Sequence, residues 1–141
     1  MNRTTKAVEC FKKGFNCAQS VLVAFSDVVN LSDDMLLEMG SALGGGYART
    51  RNLCGAVNAM GIIYGLATSC KDKAKAYDEM QDVIDKFLEA YKNVNCAELL
   101  KGIRLTKGVI PQERTDEYYQ QRPCLKIVED CVKLLEEKMR C

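Results

Sequence analysis

The residues of this sequence that could carry chemistry are its cysteines. The 141-residue chain has eight cysteines and no histidine, which excludes Ser-His-Asp and Cys-His catalytic pairs and imidazole-ligated metal sites. A cysteine thiolate is a nucleophile, an electron donor in disulfide exchange and a metal ligand. Because no Cys-x-x-Cys motif occurs, the sequence argues against a thioredoxin-type site and a zinc ribbon.

Half of the cysteines share one position, the first turn of a predicted helix. They are Cys17, Cys54, Cys96 and Cys124. Asn16, a strong N-cap, precedes the first of them, and Gln19 completes a capping box. Asn95 and Pro123 directly precede two others, and Asn52 stands two residues before the fourth. Asn is typical of helix caps, and Pro is typical of the first helical turn.

A helix N-terminus favours the thiolate form of a cysteine. Its unpaired N–H groups and partial positive charge stabilise an anion by about 0.3–1 kcal/mol at a surface and ~2 kcal/mol when partly buried. This is enough to lower a thiol pKa from about 8.5 to roughly 7, where about half of the thiol is ionised at neutral pH. We therefore expect these four cysteines to be the functional set and to lie around one pocket.

The other four cysteines have less chemical context. Cys10 and Cys131 lie mid-helix on apolar faces and are expected to pack as small apolar side chains. Cys70 at a helix end and Cys141 at the terminus are expected to be incidental thiols. Cys10 and Cys17 are seven residues apart, and so are Cys124 and Cys131. On a continuous helix that spacing is about 10 Å, which is too far for a disulfide. Sulfur pairing must therefore join different helices.

Helices must position these thiols. Apolar residues recur at helical spacing along almost the whole chain, without strand-like alternation of useful length. The sequence predicts a single all-α domain over residues 1–141, a bundle of five to seven helices with a glycine-rich loop at 44–46 before the central helix. The predicted helices are a short one closed by Gly14, 18–29, one beginning after Ser32, about 53–69, about 72–92, a short one after Asn95, and 123–139.

Glycines cluster before and within the central helix. Gly40 and Gly45 have the spacing of a phosphate-binding loop, but Gly46 stands where that motif requires lysine. Gly45, Gly46 and Gly55 are instead the candidates for backbone contact with a cofactor, because glycine adopts angles other residues resist. The small residues of the central helix are expected to let another backbone approach closely: Gly55, Ala59, Gly61 and Gly65.

The charge balance excludes a strong attraction to polyanions. Lys and Arg number 20 and Asp and Glu 19, giving +1, so we expect neither nucleic acid nor a membrane as partner. No apolar leader opens the sequence, which favours a reducing cytoplasmic location. The expected partner is an unidentified redox protein or a small-molecule oxidant or reductant. Whether the chain forms a homo-oligomer stays open.

The order of cysteines and glycines resembles a known family. The segments Gly14-Phe15-Asn16-Cys17-Ala18-Gln19, Gly44-Gly45-Gly46 and Cys54-Gly55-Ala56, then Cys96 and Cys124, are similar to the C-GCAxxG-C-C family of small proteins to which redox activity is ascribed. The resemblance implies redox activity carried by Cys17, Cys54, Cys96 and Cys124, and it supplies neither substrate nor cofactor. The family pattern ends in glycine where this chain has Ala59, a small residue that still permits close packing.

Thiol chemistry is the first of three functions that fit these observations. The chain would be a thiol-based oxidoreductase that performs disulfide exchange or electron transfer without a cofactor. Four cysteines allow three pairings, and the sequence does not choose among them. Arg49, Arg51 and Arg122 lie near the cysteines in sequence, where they would stabilise a thiolate or serve as ordinary solvated charges.

The second function is metal binding, and the third is a non-catalytic interaction module. Cys17, Cys54, Cys96 and Cys124 would be the four thiolate ligands of zinc or an iron–sulfur cluster. Their intervals of about 30 to 40 residues lack the local spacing typical of such sites. In the interaction module, the cysteines would only pack.

Overall fold

The computed structural model describes residues 1–140, and these residues contain nine helices. They are α1 (Arg3–Lys12), α2 (Cys17–Ala24), α3 (Ser26–Val29), α4 (Asp33–Gly40), α5 (Gly55–Thr68), α6 (Lys73–Tyr91), α7 (Cys96–Leu99), α8 (Asp116–Gln121) and α9 (Cys124–Arg140). The all-α prediction is confirmed, since this part of the chain contains no strand. The predicted count of five to seven helices was too low. The predicted 18–29 helix breaks at Phe25 into α2 and α3, and α8 was missed.

Side-chain caps fix where most of the helices begin. The Asn16 side chain accepts from the Gln19 N–H at 2.8 Å, and the Gln19 side chain accepts from the Asn16 N–H at 2.9 Å. This is the predicted capping box, and it sets Cys17 as the first residue of α2. Ser32 and Asn95 cap α4 and α7 in the predicted way, each accepting from an N–H three residues on.

Helix α2 lies at the centre of the bundle. It packs against α1, α4, α5 and α9, and the buried apolar residues form one cluster. Phe11, Phe25, Leu22 and Met60 are among its largest fully buried side chains. Burying such side chains stabilises the fold by about 1.5–3 kcal/mol each. The first residues of α2 and α5 are therefore held by the most heavily packed part of the molecule.

A left-handed turn connects α4 to α5. Residues 45–49 all have φ between 51° and 70°, and Arg51 has φ of 64°. For a residue other than glycine this conformation costs about 1–2 kcal/mol. The turn is closed by the Arg51 N–H to the Gly45 carbonyl at 3.0 Å and the Asn52 N–H to the Gly46 carbonyl at 2.8 Å. Backbone strain of this kind is found preferentially at functional sites.

A single antiparallel bridge ties the entry of α5 to the entry of α7. It pairs Leu53 with Asn95. The Cys54 N–H donates to the Val94 carbonyl at 2.9 Å, and the Cys96 N–H donates to the Asn52 carbonyl at 2.6 Å. The two cysteines thus flank one pair of bridged residues, although 42 positions separate them in the chain.

The small residues of α5 do not all have the predicted role. A Cβ at Gly55 would lie 2.7 Å from Cys17 Sγ, so that glycine does permit close approach. A Cβ at Gly61 or Gly65 would meet nothing within 4 Å of this chain. These two glycines therefore permit no close approach inside the described chain, because they lie on the open side of the helix. Close approach by a second copy, the other alternative that the sequence left open, stays a prediction. No helix in residues 1–140 has the length and apolar content needed to span a bilayer.

Candidate functional site

The four predicted cysteines line one cavity of about 60 Å³, here called the thiol cavity. Cys17, Cys96 and Cys124 are the first residues of α2, α7 and α9. Cys54 departs from the prediction, because it is the N-cap of α5 and not part of its first turn. The structure therefore brings the four thiols together from four helix starts.

Cys17 sits among backbone N–H donors. The amides of Ala18 in α2, Ala56 in α5 and Gly45 in the left-handed turn donate toward its sulfur. The Cys54 thiol donates a further hydrogen bond, which contributes most to lowering the pKa of Cys17. Burial opposes these donors, and the net effect lowers the pKa of the Cys17 thiol to about 7. Cys17 is thus the thiol of the cavity that ionises near neutral pH.

Cys54 is the proton-bearing partner of Cys17. Its residue is only 6% exposed. Its hydrogen bond to Cys17, its burial and the negative charge on Cys17 together raise its pKa well above the ordinary value. Within the pair the thiolate is on Cys17 and the proton is on Cys54. Two adjacent thiols with opposite pKa shifts divide into a nucleophile and a neutral partner.

Glycine at position 55 makes room for this pair. A Cβ there would lie 2.7 Å from both Cys17 Sγ and the Leu43 carbonyl oxygen. Contacts below about 3 Å force a shift of the backbone or of the sulfur. Gly46 has a similar role at the next thiol, since its Cβ would lie 2.6 Å from Cys96 Cβ. Of the glycines predicted for cofactor contact, Gly45 and Gly55 line the thiol cavity and Gly46 packs against Cys96.

Cys96 and Cys124 line the cavity as neutral thiols. Burial raises the pKa of Cys96, and the guanidinium of Arg51, whose Nη1 lies 3.7 Å from the Cys96 sulfur, partly opposes that rise. Burial, followed by the negative charge on Cys17, raises the pKa of Cys124 to about 12, with Arg122 opposing. The expectation that all four helix-start thiols have lowered pKa values was therefore wrong. Burial outweighs the helix dipole at Cys96 and Cys124. At Cys54 the hydrogen bond with Cys17, followed by burial, outweighs it.

Two of the three arginines that the sequence left open between thiolate stabilisation and ordinary solvated charge lie beside the thiols. Arg51 and Arg122 line the thiol cavity. Arg49 faces the 101–115 loop instead, where its guanidinium donates to the carbonyls of Thr106 and Gly108. The arginines that lower the pKa of Cys96 or Cys124 are Arg51, Arg114 and Arg122. Arg49 is not among them.

Two cavity residues escaped the sequence analysis. Arg114 donates to the carbonyls of Phe11 and Phe15 at 2.7 and 2.9 Å, and its guanidinium lies 4.1 Å from the Phe11 ring centre. Both Arg114 and Arg122 stack over Tyr118, with their guanidinium carbons 5.1 and 4.4 Å from the centre of its ring. Arg114 and Tyr118 come from the segment after α7, where no hydrophobic period marks their position. No signal in the sequence could have found them.

The remaining described cysteines lie away from the cavity lining. Cys131 is fully buried, and burial raises its pKa well above the ordinary value. Cys10 is 7% exposed in α1, so the prediction that both are core residues is confirmed. Cys70 follows the end of α5, where its thiol donates to the Asp72 carbonyl. Cys141 lies outside the described residues.

The geometry does not favour the four-thiolate metal site. In residues 1–140, no three Cys, Asp or Glu side chains are grouped in a way that could hold a metal ion. Cys17 and Cys54 form a hydrogen-bonded pair, and Cys96 is directed to Arg51. This arrangement differs from four thiolates placed tetrahedrally around one centre.

Comparison with known proteins agrees with the resemblance seen in the sequence. A family model described as "Putative redox-active protein (C_GCAxxG_C_C)" matches residues 15–138. No curated protein and no solved structure matches the chain. The matched range includes the four cavity cysteines and the glycines beside them.

Proposed function

The chain belongs to the C_GCAxxG_C_C family, and from this premise we propose that Cys17 and Cys54 form a dithiol that exchanges with a disulfide. The observation that carries the proposal is geometric: Cys17 and Cys54, far apart in the chain, line one cavity, and Gly55 leaves the room that Cys17 Sγ needs beside the start of α5. The opposite directions of the two pKa shifts then suggest which thiol attacks. A dithiol of this kind needs one thiol ionised to attack and one neutral thiol to complete the reaction. Exchange of this type makes the chain a thiol-based oxidoreductase.

The first step is attack by Cys17. Its thiolate attacks one sulfur of a disulfide R–S–S–R, a Cys17–S bond forms, and the S–S bond of the substrate breaks. The leaving thiolate takes a proton from water and departs as R–SH. About half of Cys17 is ionised at pH 7, since its pKa is about 7.

The second step is attack by Cys54 on the Cys17 sulfur. Once Cys17 is in the mixed disulfide, it carries no negative charge and no longer holds the proton on Cys54 by hydrogen bonding. Two of the four causes that raise the Cys54 pKa are then removed, and burial and the charge of Cys131 remain. The Cys54 thiol loses its proton to the departing R–S⁻, and a Cys17–Cys54 disulfide forms. The protein dithiol is oxidised by two electrons, and the substrate is reduced to two thiols.

Disulfide mapping after a single turnover tests this assignment. Reduced protein is mixed with one equivalent of bis(2-hydroxyethyl) disulfide, quenched with acid, alkylated and analysed by peptide mass. We expect a Cys17–Cys54 disulfide in the native chain. The Cys54→Ser variant should stop as a mixed disulfide on Cys17, and Cys17→Ser should react far more slowly. Cys70→Ser is the matched control and should behave as the native chain does.

Two results would contradict the proposal. A Cys17→Ser protein that reacts at the native rate would place the nucleophile elsewhere. A disulfide between Cys17 and Cys96, or between Cys17 and Cys124, would assign the second step to a different thiol of the cavity.

A further inference from the structure

Beside the thiol cavity lies a second, more open depression, here called the arginine groove. Arg49, Arg51, Arg114 and Arg122 line it, and its volume is about 330 Å³. The groove and the thiol cavity share Arg51, Arg114, Arg122, Tyr118 and Gly45. A molecule in the groove therefore contacts the same side chains that surround Cys17.

The groove concentrates positive charge in a chain that is nearly neutral. The sequence has seven arginines and a net charge of +1, and four of the arginines meet here. Among the residues that the structure describes, no Asp or Glu lines either depression. Within residues 1–140 none of the four guanidiniums forms an ion pair with a carboxylate, although Arg3 forms two elsewhere. Burial, and then repulsion from Arg51 and Arg122, lowers the pKa of Arg49.

The arginines divide into two that are bonded to the protein and two that keep donors free. Arg49 donates to carbonyls of the 101–115 loop, and Arg114 donates to carbonyls at the end of α1. Arg51 has a single long contact to the Cys96 sulfur. Arg122 donates to the Gln112 side chain, while its buried Nε has no hydrogen-bond partner among residues 1–140. A buried donor without a partner in the chain is uncommon, and it is available to an acceptor that enters the groove.

We propose that the arginine groove binds the carboxylate groups of a small organic disulfide and presents its sulfur–sulfur bond to Cys17. The proposal rests on the dithiol function proposed above and names the substrate class of that site. Arg51 and Arg122 supply the free donors, since guanidinium and carboxylate match in geometry and charge. The reaction is the two-step exchange described above, with the disulfide as oxidant and the Cys17–Cys54 dithiol as reductant.

The dimensions of the two depressions favour a small molecule. One water needs about 10–15 Å³ of such volume, so the thiol cavity of about 60 Å³ has room for only a few heavy atoms. The groove is about five times larger and open to solvent. A disulfide with short carboxylate arms fits this division, with its sulfur end in the cavity and its charged ends in the groove.

Three small disulfides that differ in charge test the substrate class. Dithiodipropionate is dianionic, bis(2-hydroxyethyl) disulfide is neutral and cystamine is dicationic. At low ionic strength we expect Cys17 to react about tenfold faster with the anion than with the neutral compound, and slowest with the cation. The anion-to-neutral ratio is the quantity to compare, because a change in the Cys17 pKa affects both rates equally and cancels.

Arginine variants assign the preference to the groove. Arg51→Gln and Arg122→Gln should reduce the ratio from about ten toward one, and added salt should do the same by screening. Arg104→Gln removes an exposed arginine that lines neither depression and should leave the ratio unchanged. Equal rates with all three disulfides, or an equal loss in Arg104→Gln, would overturn the proposal.

A binding measurement separates failure of the groove from failure of the dithiol function. Thiodipropionate has the same carboxylate arms but no S–S bond, so it binds without reacting. Titration calorimetry of this compound with Cys17→Ser should show saturable binding that Arg51→Gln abolishes. Binding without disulfide exchange would contradict the dithiol function alone. Exchange with no binding, and no anion preference, would contradict the groove alone.

Discussion

Replacing Cys54 should change the pKa of Cys17 in a way that depends on the replacement. Alanine removes the hydrogen-bond donor, whereas serine keeps a hydroxyl donor at the same position. Both variants lack the second thiol, so both stop at the mixed disulfide and their rates report Cys17 alone. We expect the Cys17 pKa to stay near 7 in Cys54→Ser and to rise in Cys54→Ala, because the Cys54 hydrogen bond is the largest cause of its lowering.

The size of the effect follows from the hydrogen bond to a charged sulfur. Such a bond contributes about 1.5–3 kcal/mol, which corresponds to roughly one to two pKa units. A rise from about 7 to about 8.5 reduces the thiolate fraction at pH 7 from about a half to about 3%. Each thiolate becomes about fivefold more nucleophilic, since reactivity in exchange rises with pKa at a slope of about 0.4–0.5.

These two factors oppose each other, and they predict rate profiles that cross. At pH 7 the serine variant should react about three times faster than the alanine variant, because its larger thiolate fraction dominates. At pH 10 both thiols are fully ionised, and the alanine variant should be about four to five times faster. The two profiles should cross near pH 8. At neutral pH, the lowered pKa of Cys17 therefore increases the rate of exchange by a factor of only about three.

The assay is the rate of mixed-disulfide formation at Cys17 from pH 6 to 10. Bis(2-hydroxyethyl) disulfide is the reagent, since a neutral probe does not respond to the charge of the groove. Peptide mass identifies Cys17. Cys70, which does not line the cavity, and Cys141 are replaced by serine in both proteins. Profiles that superimpose would refute the assignment of the low Cys17 pKa to Cys54.

Three further predictions concern stability, each measured by denaturant unfolding under reductant. Between about pH 7 and 8.5 the folded chain binds fewer protons at Cys17 than the unfolded chain does, so this thiol adds stability as pH rises through about 7. Above about pH 8.5 the unfolded chain ionises thiols that the fold keeps neutral, such as Cys124 with its pKa of about 12. The free energy of unfolding should therefore fall by up to about 1.4 kcal/mol per pH unit for each such thiol. A flat profile there would contradict the neutral state of the buried thiols. Gly55→Ala should destabilise the fold by about 1–3 kcal/mol and displace Cys17. Its control in the same helix, Gly61→Ala, should stabilise the fold by about 0.5–1 kcal/mol. Equal effects of the two substitutions would contradict the close contact at Gly55. Ala48→Gly should stabilise the fold by roughly 0.5–1 kcal/mol, because Ala48 has φ of 51°, and a loss of stability would contradict the left-handed turn.

Local signals in the sequence predicted the helix starts and, with them, the position of three thiols. The capping box at Asn16 and the cap at Asn95 depend on residues at most three positions apart, so spacing alone reveals them. The same reasoning failed at Asn52, which does not cap α5. A backbone bridge to the 93–96 segment holds that stretch extended, and it moves the helix start to Gly55.

Long-range contacts determined what the sequence did not predict. One bridged pair brings the start of α5, with Cys54, to the start of α7, with Cys96, and a single pair leaves no alternating pattern in either segment. The neutral state of Cys124 depends on burial by residues far away in the chain, which no local motif records. Arg114 reaches the cavity because its loop packs on the end of α1, 99 to 103 residues earlier.

The left-handed turn at 45–49 has a consequence for the order in which the protein folds. Residues other than glycine adopt such angles only a few per cent of the time, so the turn forms only after its neighbours hold it in place. We therefore expect the Gly45 amide to reach Cys17 late, after α2, α5 and α7 have met. Chains that fold in an oxidising solution would expose their thiols before the native partners are adjacent. We expect mispaired sulfurs under those conditions, and correct pairing when oxidant is added only after folding is complete.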